Sequence, residues 1–243
     1  QDITDEQQLE FTRNFGPLQD GANSTERRHE LRLDPAFADV SNIGKDGRML
    51  ARDDRRRMAS LGNRLWHSDA SFRVVPARYS LLSGRVVVTE GGNTEFADMR
   101  AAYDALDRTT KHDIEDMICE HSQIFSREQL GFTEYLPEER AKMKPVRHRL
   151  VRKHPLSGRK SIFLSAHIGG IVGWPMPEAR AFIRDLMEHA TQPQFVYSHR
   201  WTRHDLVIWD NQATMHRVRR YDDLKMIRDL RRTTTKCDGP TAA

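Results

Sequence analysis

The chain has 243 residues, 37% of them hydrophobic and 30% charged, with a formal net charge of +4 and an isoelectric point near 9.2. No apolar run reaches the roughly 20 residues a membrane-spanning helix needs, and no basic segment leads into an apolar leader-like stretch, so a soluble cytoplasmic protein with no membrane partner is expected. The two cysteines, Cys119 and Cys237, have no CxxC spacing and read as free thiols in a reducing compartment.

In chain order, Thr4 or Asp5 caps a predicted helix over about residues 4 to 15 that carries Leu9, Phe11 and Phe15 and ends at Gly16-Pro17. Residues 20–62 are polar and read as loop-rich, apart from a strand-like stretch at 38–43. Arg78 to Val88 is a strand closed by a turn at Thr89 to Gly92. Asp98 caps a helix to Leu106, and a second helix is predicted from Thr109 to Glu120. Residues 122–148, with Gly131, Pro137 and Pro145, have the charged, irregular composition of a lid-like insertion. A short strand follows at 160–165. Ala179, Phe182, Ile183 and Leu186 then make one apolar face of a helix over 178–190. Strands at 195–201, 205–209 and 228–235 complete the pattern. Many strands, few helices and no regular alternation point to one mainly β domain, a sandwich or jelly roll with flanking helices, rather than a parallel α/β fold.

His67-Ser68-Asp69 is the first candidate site. On an extended segment, residues two apart point to the same side. A histidine brought in from elsewhere, for which His216 is the candidate, would complete two imidazoles and one carboxylate, the facial set suited to non-haem Fe(II). A lone His-x-Asp is common by chance and usually a solvated surface pair. Here it is flanked by Trp66 and Phe72, where an uncompensated carboxylate would be costly. Arg228 and Arg232, four apart on a predicted strand, share a face, with Arg231 pointing away. Two inward guanidiniums need anions; if the strand is exposed they instead pair with surface acids. The basic clusters Arg55-Arg56-Arg57, Arg217 to Arg220 and Arg228 to Arg232 carry no nucleic-acid-binding signature, and small anionic substrates suit them equally well.

Four blocks together resemble a known family: Trp66 to Phe72; Gly91 to Met99; Trp209 to Gln212 with Met215-His216-Arg217; and Arg228 to Thr234. They look like the TauD/TfdA dioxygenases, enzymes that use Fe(II), 2-oxoglutarate and O2 on a double-stranded β-helix (jelly-roll, cupin-like) fold. The likeness begins at Phe11 to Leu18. Ala101 to Leu106, Phe195 to Tyr197 and Arg200-Trp201 place it nearest the aryloxyacetate (2,4-dichlorophenoxyacetate) branch.

The resemblance implies that His67, Asp69 and His216 ligate iron. It implies that Thr94 and Arg228 hold the distal carboxylate of 2-oxoglutarate and Arg232 holds the substrate's acid group, while Asn63 and Phe72 line the substrate pocket. An intact Asp69 argues against a halogenase, which needs a small residue there. The family has further early strands ahead of the point where this chain starts. The 2,4-dichlorophenoxyacetate branch commonly has one residue fewer between His216 and Arg228; the extra one is placed at 222–226, and otherwise Arg231 rather than Arg232 faces the pocket. The implied reaction is hydroxylation of a small carboxylate, an aryloxyacetate being the leading candidate, by an enzyme whose assembly state, monomer or homo-oligomer, is open. The same chemistry on another acid or a sulfonate, and a non-catalytic metal- or anion-binding relative, are the alternatives. A zinc hydrolase fits less well, since no general base is evident.

Overall fold

A computed structural model describes residues 2–21 and 31–241; residues 22–30 of the expected loop-rich stretch lie outside the described residues. Helix α1 (Asp5–Arg13) starts where the sequence places it. The Thr4 hydroxyl accepts from the Gln7 backbone, and the Gln7 side chain accepts from the Thr4 backbone, a reciprocal cap. Its buried face is polar. Gln8 Nε2 donates to the carbonyls of Leu81 and Arg231 at 3.2 and 2.9 Å, and the hydroxyls of Thr12 and Thr233 meet at 2.6 Å. Phe11 stays exposed. The helix is thus attached to the sheet by hydrogen bonds that an apolar-periodicity reading does not see.

Four antiparallel strands make the larger sheet, in the order β1 (Phe37–Ser41), β12 (Asp229–Lys236), β2 (Ala77–Val86), β10 (Leu206–Asp210). A second antiparallel sheet runs β11 (Thr214–Val218), β3 (Thr94–Asp98), β9 (Val196–His199). Leu82, Trp209 and Leu230 from the first meet Phe96 from the second, with Trp201, in one buried cluster. At roughly 1.5–3 kcal/mol per large apolar side chain buried, this cluster is what holds the two sheets together. A third sheet, β5 (Val146–Arg149), β4 (Ile118–His121), β8 (Ile168–Ile171), and a pair formed by β6 (Val151–Lys153) and β7 (Lys160–Ile162) extend the molecule. Helix α7 (Met176–Ala190) buries Ala179, Ile183, Leu186 and Ala190 in the larger core cluster, with Ile168 and Ile171. Among the described residues, no helix is long and apolar enough to cross a membrane.

Three expectations change. After α2 (Arg55–Ser60) and α3 (Met99–Asp104), the helix predicted from Thr109 to Glu120 is α4 (Arg108–Ile114), and Ile118–His121 is a strand whose burial alternates with period two. Residues 122–148 are not irregular: they contain α5 (Gln123–Glu128), α6 (Pro137–Lys142) and β5. The segment carrying His67 and Asp69 is not a regular strand. Only His67 is bridged, to His216, and Asp69 lies in a turn whose next residue, Ala70, has φ +50°.

The pairing of β4 with β5 stacks His121 and His148 edge to face at 5.1 Å, both against Phe163. Burial, with the Arg152 charge, lowers His148 from 6.5 to about 4, and burial with His148 and Arg152 pushes His121 well down. Both therefore fold neutral. The unfolded chain takes up protons below pH 6.5 that the folded one refuses, so stability falls as pH drops from 6.5 toward 4. His148 alone accounts for up to about 3 kcal/mol across that window. Urea unfolding at pH 7.5 and pH 5 is expected to show a lower midpoint in acid, and His148→Gln is expected to shrink the difference. An unchanged difference would locate the acid sensitivity elsewhere.

Candidate active site

Two backbone hydrogen bonds between His67 and His216, at 3.0 and 2.8 Å, bring the distant parts of the site together. The Ser68 hydroxyl donates to the carbonyls of Leu164 and Thr214 at 3.2 and 3.3 Å, and the Asp69 amide donates to Asn211 Oδ1 at 3.0 Å. These bonds replace a strand ladder in fixing the His-x-Asp segment. One ligand atom from each of His67, Asp69 and His216 lies within 4.8 Å of the others, and all three residues are buried. Nε2 of His67 is 3.8 Å from one Asp69 oxygen, and Nε2 of His216 is 3.7 Å from the other. His67 Nδ1 lies 2.8 Å from the Leu65 carbonyl. As the donor there, Nδ1 leaves the Nε2 lone pair facing the carboxylate.

The electrostatics suit a divalent cation. Burial lowers both imidazoles, His216 well below 6.5, so they are neutral. Burial pushes the Asp69 carboxyl up, but the Arg232 guanidinium, helped by the Ser80 hydroxyl, holds it below the ordinary carboxylate value. Two neutral nitrogen donors and one ionised carboxylate are thus ready without loss of a proton. The Ser80 hydroxyl donates to Asp69 Oδ2 at 2.7 Å and accepts from Asn211 Nδ2 at 2.9 Å, while Trp209 Nε1 donates to Asn211 at 3.1 Å. This chain orients the carboxylate, as outer partners of metal ligands do.

Arg232 donates to Asp69 and lines the cavity that also touches His67, Asn63 and Phe72. Arg231 points away and pairs with Asp5 and Asp229. Arg228 lies just before β12, beyond a bulge at Asp229/Leu230, so simple strand alternation does not relate it to Arg232. It is 3% exposed, donates to the Gly92 carbonyl at 3.2 Å, and has no carboxylate partner among the described residues. Burial lowers it to about 10, so it stays a cation. Thr94 pairs with Val218 as Phe96 pairs with His216, which sets Thr94 on the face that carries His216. Its hydroxyl accepts from Trp201 Nε1 at 2.9 Å.

Sequence reasoning missed Ser80, Asn211, Gln123, Arg127 and His167. Asn211 stood inside a quoted motif but was given no role. The others lie on a strand, a short helix and a loop where nothing local separates them from ordinary polar residues.

A model of the taurine catabolism dioxygenase TauD, TfdA family matches residues 1–234. An alpha-ketoglutarate-dependent 2,4-dichlorophenoxyacetate dioxygenase of Cupriavidus pinatubonensis is 47% identical over 98% of this chain and 83% of that protein. An (S)-phenoxypropionate/alpha-ketoglutarate-dioxygenase of Sphingobium herbicidovorans is 35% identical over 91% of this chain and 75% of its own. The crystal structure of AAD-2 with Mn(II) and N-oxalylglycine superposes with a TM-score of 0.95 at 58% identity, covering all of this chain and 84% of AAD-2. With a buried His-Asp-His cluster at its centre and antiparallel sheets around it, the chain belongs to the TauD/TfdA family of 2-oxoglutarate-dependent dioxygenases.

Proposed function

We propose that the protein is an Fe(II)- and 2-oxoglutarate-dependent dioxygenase that hydroxylates an aryloxyacetate-type acid, giving a phenol and glyoxylate with succinate and CO2 as coproducts. The carrying observation is a buried His67-Asp69-His216 cluster whose Asp69 accepts from the half-buried Arg232, together with a buried guanidinium, Arg228, that has no carboxylate partner among the described residues. The larger sheet and the β3-containing sheet face each other with the cluster between them, which supports a double-stranded β-helix reading of one domain. Gln123 and Arg127, from residues 122–148, line the cavity, which supports reading that segment as a lid.

Bound iron with 2-oxoglutarate and O2 supplies the oxidising power for C–H hydroxylation. His67, Asp69 and His216 would hold the metal. Arg228 has no carboxylate partner among the described residues and is assigned the distal carboxylate of 2-oxoglutarate. Thr94 Oγ1 already accepts from Trp201, so its own proton is directed elsewhere, toward the same carboxylate. Arg232 is assigned the acid group of the substrate, with Asn63 and Phe72 shaping the cavity around the remainder. Clamping the acid would orient the adjacent carbon toward the site held by His67, Asp69 and His216. Hydroxyl added to a carbon bearing an aryl ether makes a hemiacetal, which collapses to phenol and glyoxylate.

The test is succinate and phenol formation with Fe(II), 2-oxoglutarate and a panel of aryloxyacetates, arylacetates and sulfonates. Aryloxyacetates are expected to give both products in equal amounts. Turnover confined to sulfonates would move the substrate assignment, and no 2-oxoglutarate turnover with any acid would sink the reading.

A further inference from the structure

The cavity that reaches His67 and Asp69 is lined by three arginines, Arg232, Arg73 and Arg127 on α5, and by one further carboxylate, Asp20, which interacts with Arg73. The Arg127 side chain is buried. Nη1 donates to the Ser126 hydroxyl at 3.1 Å, Nε has no acceptor, and no carboxylate among the described residues pairs with it. The fold leaves room for it: a Cβ at Gly62 would lie 2.1 Å from Nη1 and 2.5 Å from Cζ. Two further buried polar atoms in the same cavity lack partners, Gln123 Oε1 and His167 Nδ1. Arg232 differs, because its charge is offset by Asp69. Burial lowers Arg127 to about 10, which leaves it charged at neutral pH. An uncompensated buried cation is costly unless an anion arrives to meet it.

We infer that Arg127 is a second anion anchor of this cavity, so that the substrate's carboxylate is held between Arg127 and Arg232 and selectivity for an acid over its neutral isostere rests on Arg127. Arg232 donates to a metal ligand and sets where the acid lies relative to the metal. Arg127, with which no carboxylate among the described residues pairs, supplies the attraction. Gln123 and His167 offer hydrogen bonds beside it. The inference rests on reading this cavity as the substrate site.

The experiment measures binding without turnover. The protein is loaded with Mn(II) and 2-oxoglutarate under anaerobic conditions and titrated calorimetrically with phenoxyacetate and with phenoxyacetamide. Arg127→Gln is expected to raise the Kd for phenoxyacetate by roughly 30-fold or more, the effect of losing one member of a buried charged pair, and to change the Kd for the amide by no more than about threefold. The Kd for 2-oxoglutarate, measured on the same variant, is expected to stay within about threefold. Gly62→Ala is the second variant. Its Cβ displaces the flexible end of Arg127 without removing the charge, and a smaller loss in the same direction is expected. Equal phenoxyacetate affinity in wild type and Arg127→Gln, or equal losses for acid and amide, overturns the anchor alone. A wild-type protein that binds 2-oxoglutarate but not phenoxyacetate removes both the anchor and the aryloxyacetate reading.

Discussion

Asp69→Ala is expected to reduce 2-oxoglutarate turnover to background and to cost more in metal affinity than the roughly 10- to 100-fold typical of losing an outer partner of a metal ligand. Asp69 is the single anionic member of the cluster, and each oxygen has a defined partner: Ser80 donates to Oδ2 at 2.7 Å and Arg232 donates to Oδ1. Removing the carboxylate deletes one donor and leaves the Arg232 guanidinium without its counter-charge. Ser80→Ala is the graded comparison. It keeps all three ligands but loosens one oxygen, and its loss is expected inside the 10- to 100-fold range. Iron affinity by competition with a chelator, read beside melting curves, separates the two effects. If Asp69→Ala binds iron as tightly as Ser80→Ala, the assignment of Asp69 as a ligand fails.

The convergence of His67, Asp69 and His216 was legible because its signal is local and chemical. His67 and Asp69 stand two apart beside aromatic neighbours, and His216 follows a recognisable strand-turn block. Their means of support was not. The sequence suggests an extended strand, whereas the segment is fixed by one bridge to His216 and by the bonds of Ser68 and the Asp69 amide. Such bonds connect residues nearly a hundred or more apart in the chain, and no periodicity records them. Helix signals worked where caps are local, as at Thr4 and Asp98. They overran at Ile118–His121, where a four-residue strand follows a helix with only a short break. The register of β12 was open from sequence because the spacing from His216 to Arg228 is one residue long; the structure has a bulge at Asp229/Leu230 and turns Arg231 to Asp5 and Asp229, and Arg232 to Asp69. Arg127 carried no signal at all, since its meaning comes from Gly62 and the cavity, both set by tertiary packing.

Arg228→Met is expected to move binding and stability in opposite directions. A buried charged pair lost from one side costs about 2–5 kcal/mol, so the Kd for 2-oxoglutarate is expected to rise by roughly 30-fold to several thousand-fold. In the unliganded protein the same side chain is a liability. Burial lowers Arg228 from 12.5 to about 10, so below pH 10 the folded state carries a desolvation cost of about 3 kcal/mol, which is relieved only as pH rises from 10 toward 12.5. Methionine fills much of the space without the charge. It gives up the bond to the Gly92 carbonyl, worth about 1 kcal/mol, and the packing of the guanidinium over Tyr221. The backbone bond from the Arg228 amide to Asn42 Oδ1 is retained. The balance favours a variant that melts above the wild type when ligand-free and gains little from added 2-oxoglutarate. Arg228→Lys keeps the charge but not the planar fork, and it is expected to recover only part of the affinity. Melting temperatures of the three proteins with and without 2-oxoglutarate and Mn(II) are the measurement. A residue that served only to hold β12 in place would lower the ligand-free melting temperature on substitution; a rise coupled to lost ligand stabilisation marks a cation kept at a cost for the anion it receives.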